Sequence, residues 1–457
     1  HAAALDPLPA ASSIVAHPVP ARRRVPSPLA RARQLIGRRI AAQPLWRNHT
    51  YLTLWGGRLV SATGSQMSQL AFPLLVLLLT GSAAIAGLAG ALRMLPYLVL
   101  TLPAGVLVDR WDRRKLMLAC DTGRALALGS IPLALVLGRL SVAQIFAVAL
   151  VEGTLYVFFD LAETAALPSI VPPEQMPAAT AQYLGLTDGV TLLLGPALGG
   201  ALFAVGRMVP FLADAISYGV SVVALSRVKL PRTQAQAPEA AAESAVSWRV
   251  MRRDIVEGMR WLWRQPLLRA LTAILAISNL LTAGEALVVI VLAERLHASM
   301  GEIGLIVALG GVGTVLGALL AERITRRLSF GQAFTGANWL IALVWFGFAL
   351  APAPLWLGVA LAINGGTFAV LNVVQYSRRM ALIPDEMQGR INSIIRLLIY
   401  GAVPLGLAVM GLLIERVGPV ATALLLGVGL VGLALRVTLD PHFRPSFPRR
   451  LALSFRR

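Results

Sequence analysis

Twelve apolar runs of about 20 residues recur along this chain, each the length a helix needs to cross ~30 Å of hydrocarbon at 1.5 Å per residue. They cover roughly 51–79, 83–108, 115–137, 141–164, 177–205, 209–228, 267–293, 301–321, 331–350, 354–377, 389–414 and 419–438. With 57% hydrophobic and 14% charged residues, the composition lies well outside that of a water-soluble domain of this length. The expected class is an all-α integral membrane protein.

The net charge of +19 would suggest nucleic acid in a soluble chain, but its distribution argues otherwise. Of 41 Lys and Arg residues, 33 fall on one side if the N-terminus is cytoplasmic, and the opposite loops hold only Arg139, Arg207, Arg295 and Arg416. This positive-inside asymmetry predicts a multi-pass protein of the cell (inner or plasma) membrane with both termini cytoplasmic, and no nucleic-acid partner. Residues 1–50 read as a basic, largely disordered cytoplasmic tail without an apolar core for a secretory signal. Residues 51–228 form one six-helix unit, 229–266 a cytoplasmic linker, 267–440 a second six-helix unit and 441–457 a basic cytoplasmic tail. Within the linker, Trp248, Met251, Ile255, Met259 and Leu262 recur at three- and four-residue spacing among arginines, which predicts an amphipathic helix on anionic lipid. The single cysteine, Cys120, excludes an internal disulfide.

The two units echo each other. Asp109, Arg110, Arg113 and Arg114 follow segment two, and Glu322, Arg323, Arg326 and Arg327 follow segment eight at the same spacing. LPSIVPPEQMPAATA before segment five is echoed by LIPDEMQGRINS before segment eleven. Duplicated six-helix bundles place a binding site at their interface near the bilayer midplane, the architecture of secondary transporters.

The stretch GVLVDRWDRRK, from Gly105, resembles the loop-two motif of the major facilitator superfamily, with Asp112 where that family usually has Gly. With LPLLVLLLTGS, FFDLAETAALPSIVP and GPALGG in order, the chain is similar over roughly 46–440 to the enterobactin-exporter and macrolide-efflux-like branch. The resemblance implies the major facilitator fold, twelve transmembrane helices in two pseudo-symmetric six-helix bundles. It also implies a conformational latch, with Asp109 against the start of segment eleven at Gly389–Asn392 and Arg113 paired with Asp160. A carboxylate near unsatisfied N–H groups gains ~0.3 to 1 kcal/mol. Gly195, Pro196, Gly199 and Gly200 resemble the latter half of the helix-five motif of antiporters. Thr191 stands where that motif has Gly, and Ala149 where drug antiporters carry an Arg in helix four.

Polar residues at helical spacing mark segments one, four, seven and ten: Arg58, Ser61, Ser65, Ser68 and Gln69; Gln144, Glu152 and Tyr156; Ser278, Asn279, Thr282 and Glu285; Asn364, Thr367, Asn372 and Gln375. Lipid penalises such stripes and a water-filled cavity does not. An isolated Arg at mid-bilayer costs ~2.5 to 17 kcal/mol, so Arg58, Arg93 and Glu152 should pair or face water. Counting from the segment ends puts Arg58 and Glu152 at similar depth and makes them the expected pair, with Glu152 as coupling carboxylate. Its rivals are Asp188, Asp214 and Glu285. Asp121 and Arg124, three apart, can satisfy each other.

No Walker sequence is present, and His1, His17, His49, His297 and His442 lie outside the segments. No enzyme activity, cofactor or metal site is expected. The sequence predicts a monomeric secondary active transporter exporting a bulky, largely apolar small molecule such as a drug, macrolide or siderophore-like compound by alternating access. Protons are the expected coupling ion. The alternative is a lipid or lysophospholipid flippase of the same fold.

Overall fold

Asn48, Ser82, Asp112 and Ser141 each accept a hydrogen bond from the backbone N–H three residues on, which satisfies one of the four donors a helix start leaves open. They begin α1 (His49–Thr80), α2 (Ala83–Arg110), α3 (Arg113–Val136) and α4 (Val142–Ile170). The computed structural model describes residues 45–183, 189–228, 248–384 and 387–443. Most of the expected terminal tails and of the linker, and Asp188, lie outside these residues, and for Asp109 and Gly389 the backbone alone is described. Then come α5 (Met176–Gln182), α6 (Gly189–Val205), α7 (Val209–Arg227), α8 (Trp248–Arg264), α9 (Pro266–Thr282), α10 (Glu285–Arg295) and α11 (Met300–Arg327). The last four are α12 (Phe330–Ala349), α13 (Pro354–Leu382), α14 (Gln388–Val417) and α15 (Pro419–Leu439). Capping boxes at Ser299/Glu302 and Ser329/Gln332 start α11 and α12, and prolines open α9, α13 and α15.

Eleven of these spans are long and apolar enough to cross a membrane, and the 17-residue apolar α6 makes the twelfth. Among the described residues there is no strand. Segment seven departs from a continuous helix: it ends at Thr282 and restarts at Glu285. The break falls at Gly284, where a Cβ would collide with Met410 of α14. Helix propensity is weak at Gly, so the chain yields there to the neighbour's packing.

Helix pairing repeats between the halves. α2 packs on α4 as α11 packs on α13; α3 on α7 as α12 on α15; α1 on α6 as α9 on α14. Across the halves α2 meets α14 and α6 meets α11. Small residues permit both crossings, since a Cβ on Gly87 would meet Gly411 and Leu407, and one on Gly200 would meet Gly304 and Met300.

Twelve crossings bring both described ends, Leu45 and Phe443, to one end of the bundle. At the far end the two halves share one buried cluster, in which Leu74, Leu75 and Ala86 join Leu292 and Ile303. Ser82 Oγ and Ala84 N–H both donate to Glu415 there, Ala84 at 2.9 Å. At the terminus end, the N-terminal half has a cluster of its own, including Tyr51, Val108, Met117, Phe159 and Leu225. The halves are therefore sealed together at the far end. Helix α8 buries Leu262 against the second half, and Arg253, Arg260, Arg264 and Trp263 face outward.

Candidate functional site

At mid-depth between the halves lies a cavity of about 450 Å³. Its wall takes Arg58, Gln66 and Gln69 from α1, Arg93 and Tyr97 from α2, Glu152 and Tyr156 from α4 and Thr191 from α6, with Asn279 of α9 and Tyr400 of α14 from the second half. A second cavity of about 420 Å³ shares Asn279 and Tyr400 and extends toward the terminus end along α13 and α14, past Asn372, Gln375, Arg379 and Arg396. Asn279, Asn372 and Gln375 thus face cavity from the second half. Glu285 and Asn364 bond each other at 2.6 Å and do not reach the wall of either cavity.

The charged residues pair differently from the expectation of Arg58 with Glu152. Glu152 is clamped between two other arginines, Arg93 Nε at 2.5 Å and Arg124 Nη2 at 2.8 Å, and Tyr218 donates to it at 3.4 Å. Arg58 lies instead 3.5 Å from Glu163 and 4.0 Å from Asp160. Depth along a segment does not fix azimuth; Arg93 projects from α2 toward α4, where Gly153 lets the Arg93 carbonyl approach. Arg124, 1% exposed, keeps Asp121 at 3.6 Å as well, and its guanidinium stacks 4.1 Å from the Tyr218 ring centre. The local result is two guanidiniums matched by two carboxylates. Asp214 differs: it is fully buried, accepts from Ser217 at 3.2 Å and has one oxygen without a partner. No guanidinium stands within 4.0 Å of it among the described residues.

Sequence reasoning paired Arg124 with Asp121, as found, but missed its hold on Glu152 and missed Glu163 and Tyr218 as members of this cluster. The available signal was the presence of several ionisable side chains within segments three, four and six, because lipid leaves such groups little choice but one another.

Of the residues expected in the latch, several have partners among the described residues. Asp112 caps α3 through Lys115 N–H, Arg113 donates to the Ala165 carbonyl at 2.8 Å, and Arg114 bonds the Leu225 and Ser226 carbonyls at the end of α7. Asp160 stands 4.0 Å from Arg58. Gly105 has open space around it, and Arg110 is exposed. In the second turn Glu322 pairs with Arg326 of its own helix, while Arg323 and Arg327 face outward. The Asp109 and Gly389 contacts expected of the latch lie outside what is described. A carboxylate on a helix start does join the halves, but at the opposite end: Glu415 of α14 on the first turn of α2. In the helix-five stretch, Gly195 and Gly199 fit α6 onto Gln66 and Met67 of α1, while Gly200, with the Pro196 carbonyl, meets Gly304 of α11.

The profile of a transmembrane secretion effector family matches residues 41–445. The multidrug efflux pump Tap of Mycolicibacterium fortuitum is 28% identical over 403 residues, covering 84% of this chain and 94% of that protein. The enterobactin exporter EntS of Escherichia coli O9:H4 is 27% identical over 405 residues, covering 86% and 92%. Among solved structures, the nucleoside transporter NupG superposes with a TM-score of 0.68 at 11% identity, covering 87% of this chain and 100% of that one. A bacterial homologue of the iron transporter ferroportin in an inward-facing state gives 0.61 at 19% identity, covering 86% and 100%.

Proposed function

Because the chain belongs to the transmembrane secretion effector family, within the major facilitator superfamily, we propose that it exports a bulky, largely apolar small molecule by proton-coupled alternating access. It is a multi-pass membrane transporter and not an enzyme. The observation that carries the finer reading is the cavity between the halves, closed at the far end and walled by aromatic, amide and charged side chains. A compound enters from the terminus end and leaves when the halves rock and the far end opens. The Lys and Arg asymmetry supports a cytoplasmic terminus end, for which this direction is outward. The names of the two relatives, a multidrug efflux pump and an enterobactin exporter, support export.

For coupling, Glu152 is the carboxylate and Arg93 its switchable partner. Arg93 stands on the cavity wall, where a compound or water competes for it, whereas Arg124 is held by Asp121 and is the fixed partner. Release of Arg93 leaves Glu152 half-compensated and ready to accept a proton. Each proton moving down 100 mV supplies about 2.3 kcal/mol.

A flippase of the same fold is the second reading. An apolar groove of about 400 Å³ on the flank formed by α1, α6 and α7, lined by Leu59, Met67, Leu194 and Ile216, favours it. Proteoliposomes with an imposed pH difference test both. Export predicts gradient-driven accumulation of at least one dye from a panel that includes fluorescein and rhodamine 6G, lost in Glu152→Gln, with no movement of labelled phospholipid between leaflets. Accumulation undiminished in Glu152→Gln removes Glu152 from the coupling role, and lipid movement without probe accumulation removes the export reading.

A further inference from the structure

We propose that the cavity carries an anion subsite built from Arg379 and Arg396, and that the transported compound is an amphiphile with an apolar body and a carboxylate- or phosphate-type group. This rests on the reading of the interbundle cavity as the transport site. Arg379, 4% exposed, gives one Nη to Gln375 Oε1 at 3.1 Å and the other to Asn392 Oδ1 at 2.9 Å. Both acceptors are neutral, and its buried Nε has no partner. Arg396, from α14, lines the same cavity and donates to the Tyr97 hydroxyl at 2.6 Å. Among the described residues neither guanidinium has a carboxylate within 4.0 Å. Each arginine of the first half's cavity cluster does: Arg58 has Glu163, Arg93 has Glu152, Arg124 has Asp121 and Glu152.

A buried cation without a counter-ion is costly, which is the position of Arg379, and Arg396, exposed to the same cavity, adds a like charge beside it. Packing has no use for such a pair; an incoming anion does. The two amides hold the Arg379 fork in a fixed orientation while leaving Nε to donate, the arrangement that suits bidentate recognition of planar oxyanions. Arg396 adds a second guanidinium on the facing helix. Since Asn279 and Tyr400 belong to both cavities, an anionic group at the arginines leaves the rest of the molecule against Tyr97, Tyr156 and Val403. The Arg396 bond to Tyr97 also crosses from one half to the other, so an anion that draws Arg396 away weakens a contact between the halves. The same chemistry is presented by a soluble organic anion and by the headgroup of an anionic lysolipid.

The test compares two xanthene dyes of similar body and opposite charge, fluorescein and rhodamine 6G, binding to the purified protein in phosphatidylcholine nanodiscs by anisotropy. Arg396→Gln, whose guanidinium is exposed to the cavity, and Arg379→Gln should each weaken fluorescein binding by ~10-fold or more, as expected for losing a hydrogen bond to a charged group. Rhodamine 6G should bind as to the wild type, which shows the fold intact. Displacement of fluorescein by lysophosphatidylglycerol but not lysophosphatidylcholine identifies a lipid headgroup as the natural anion; displacement by neither identifies a soluble one. Unchanged fluorescein binding in both variants, or equal loss of both dyes in Arg396→Gln, overturns the subsite. Wild-type binding of rhodamine 6G without fluorescein also overturns it and leaves the cavity reading standing; binding of neither dye removes the cavity reading itself.

Discussion

Replacing Glu152 by Gln removes a carboxylate shared by two guanidiniums and strands one of them, and the cost can be worked from the distances. Arg124 keeps Asp121 at 3.6 Å, but Arg93 loses the carboxylate 2.5 Å away and has no other within 4.0 Å among the described residues. Removing one partner of a buried pair costs about 3–5 kcal/mol. The Arg93 side chain is 14% exposed on a cavity, which places the cost near the lower limit, about 3 kcal/mol. Arg93→Gln should cost less, about 1–2 kcal/mol, because Glu152 retains Arg124 at 2.8 Å and the Tyr218 hydroxyl. The double variant leaves Arg124 and Asp121 matched and two amides able to bond each other. It should therefore be more stable than Glu152→Gln alone, with a coupling energy of about 2–3 kcal/mol. The pair Arg58→Gln with Glu152→Gln should by contrast be additive, since Arg58 faces Glu163. SDS-induced unfolding in mixed micelles, followed by tryptophan fluorescence, measures the single and double variants against the wild type. Additivity for the Arg93 pair, or coupling for the Arg58 pair, refutes the assignment of partners.

Glu415→Gln removes the charge that holds the first turn of α2 and should open the far end, raising maleimide labelling of a cysteine introduced at the buried Ala86; labelling equal to that in the Glu415 background counts against a seal at this point. Asp214→Asn should leave stability and expression at wild-type level, because no guanidinium loses a partner, whereas Asp121→Asn should lower both; the reverse order in the same unfolding assay contradicts the pairing described. At the C-terminal end of α15, burial favours the neutral form of Asp440, but bonds from the His442 backbone and ring and from Arg436 outweigh it and hold the carboxyl below its usual range. A depressed folded-state value gives stability that is present above the unfolded value and lost as pH falls through the folded one, so the Pro441–Phe443 turn should stay docked down to about pH 4 and loosen below it. Hydrogen exchange at the Phe443 amide checks this, and in Asp440→Asn protection should be reduced throughout.

Run length, the repeat of acid and base after segments two and eight, and the lopsided distribution of Arg are local or additive properties. A bilayer reads them one segment at a time, which is why the helical class, the number of spans and the doubling of the bundle were legible in the chain alone. The stripes of Arg58 to Gln69 and of Asn364 to Gln375 were legible for the same reason, since periodicity reports which face of one helix is polar. Arg379 continues the second stripe by one more turn, yet a segment boundary at 377 set it outside the membrane; α13 runs to Leu382 and carries it into the cavity. What the tertiary structure alone decided was partnership. Whether Glu152 meets Arg58 or Arg93 depends on the rotation of α1, α2 and α4 about their axes and on Gly153 admitting the Arg93 carbonyl, and the place where segment seven breaks depends on Met410 of another helix. Depth and face within a helix are readable from the chain because both follow from rise and period; which charges touch is set by packing between helices, where one small residue decides how closely two backbones approach.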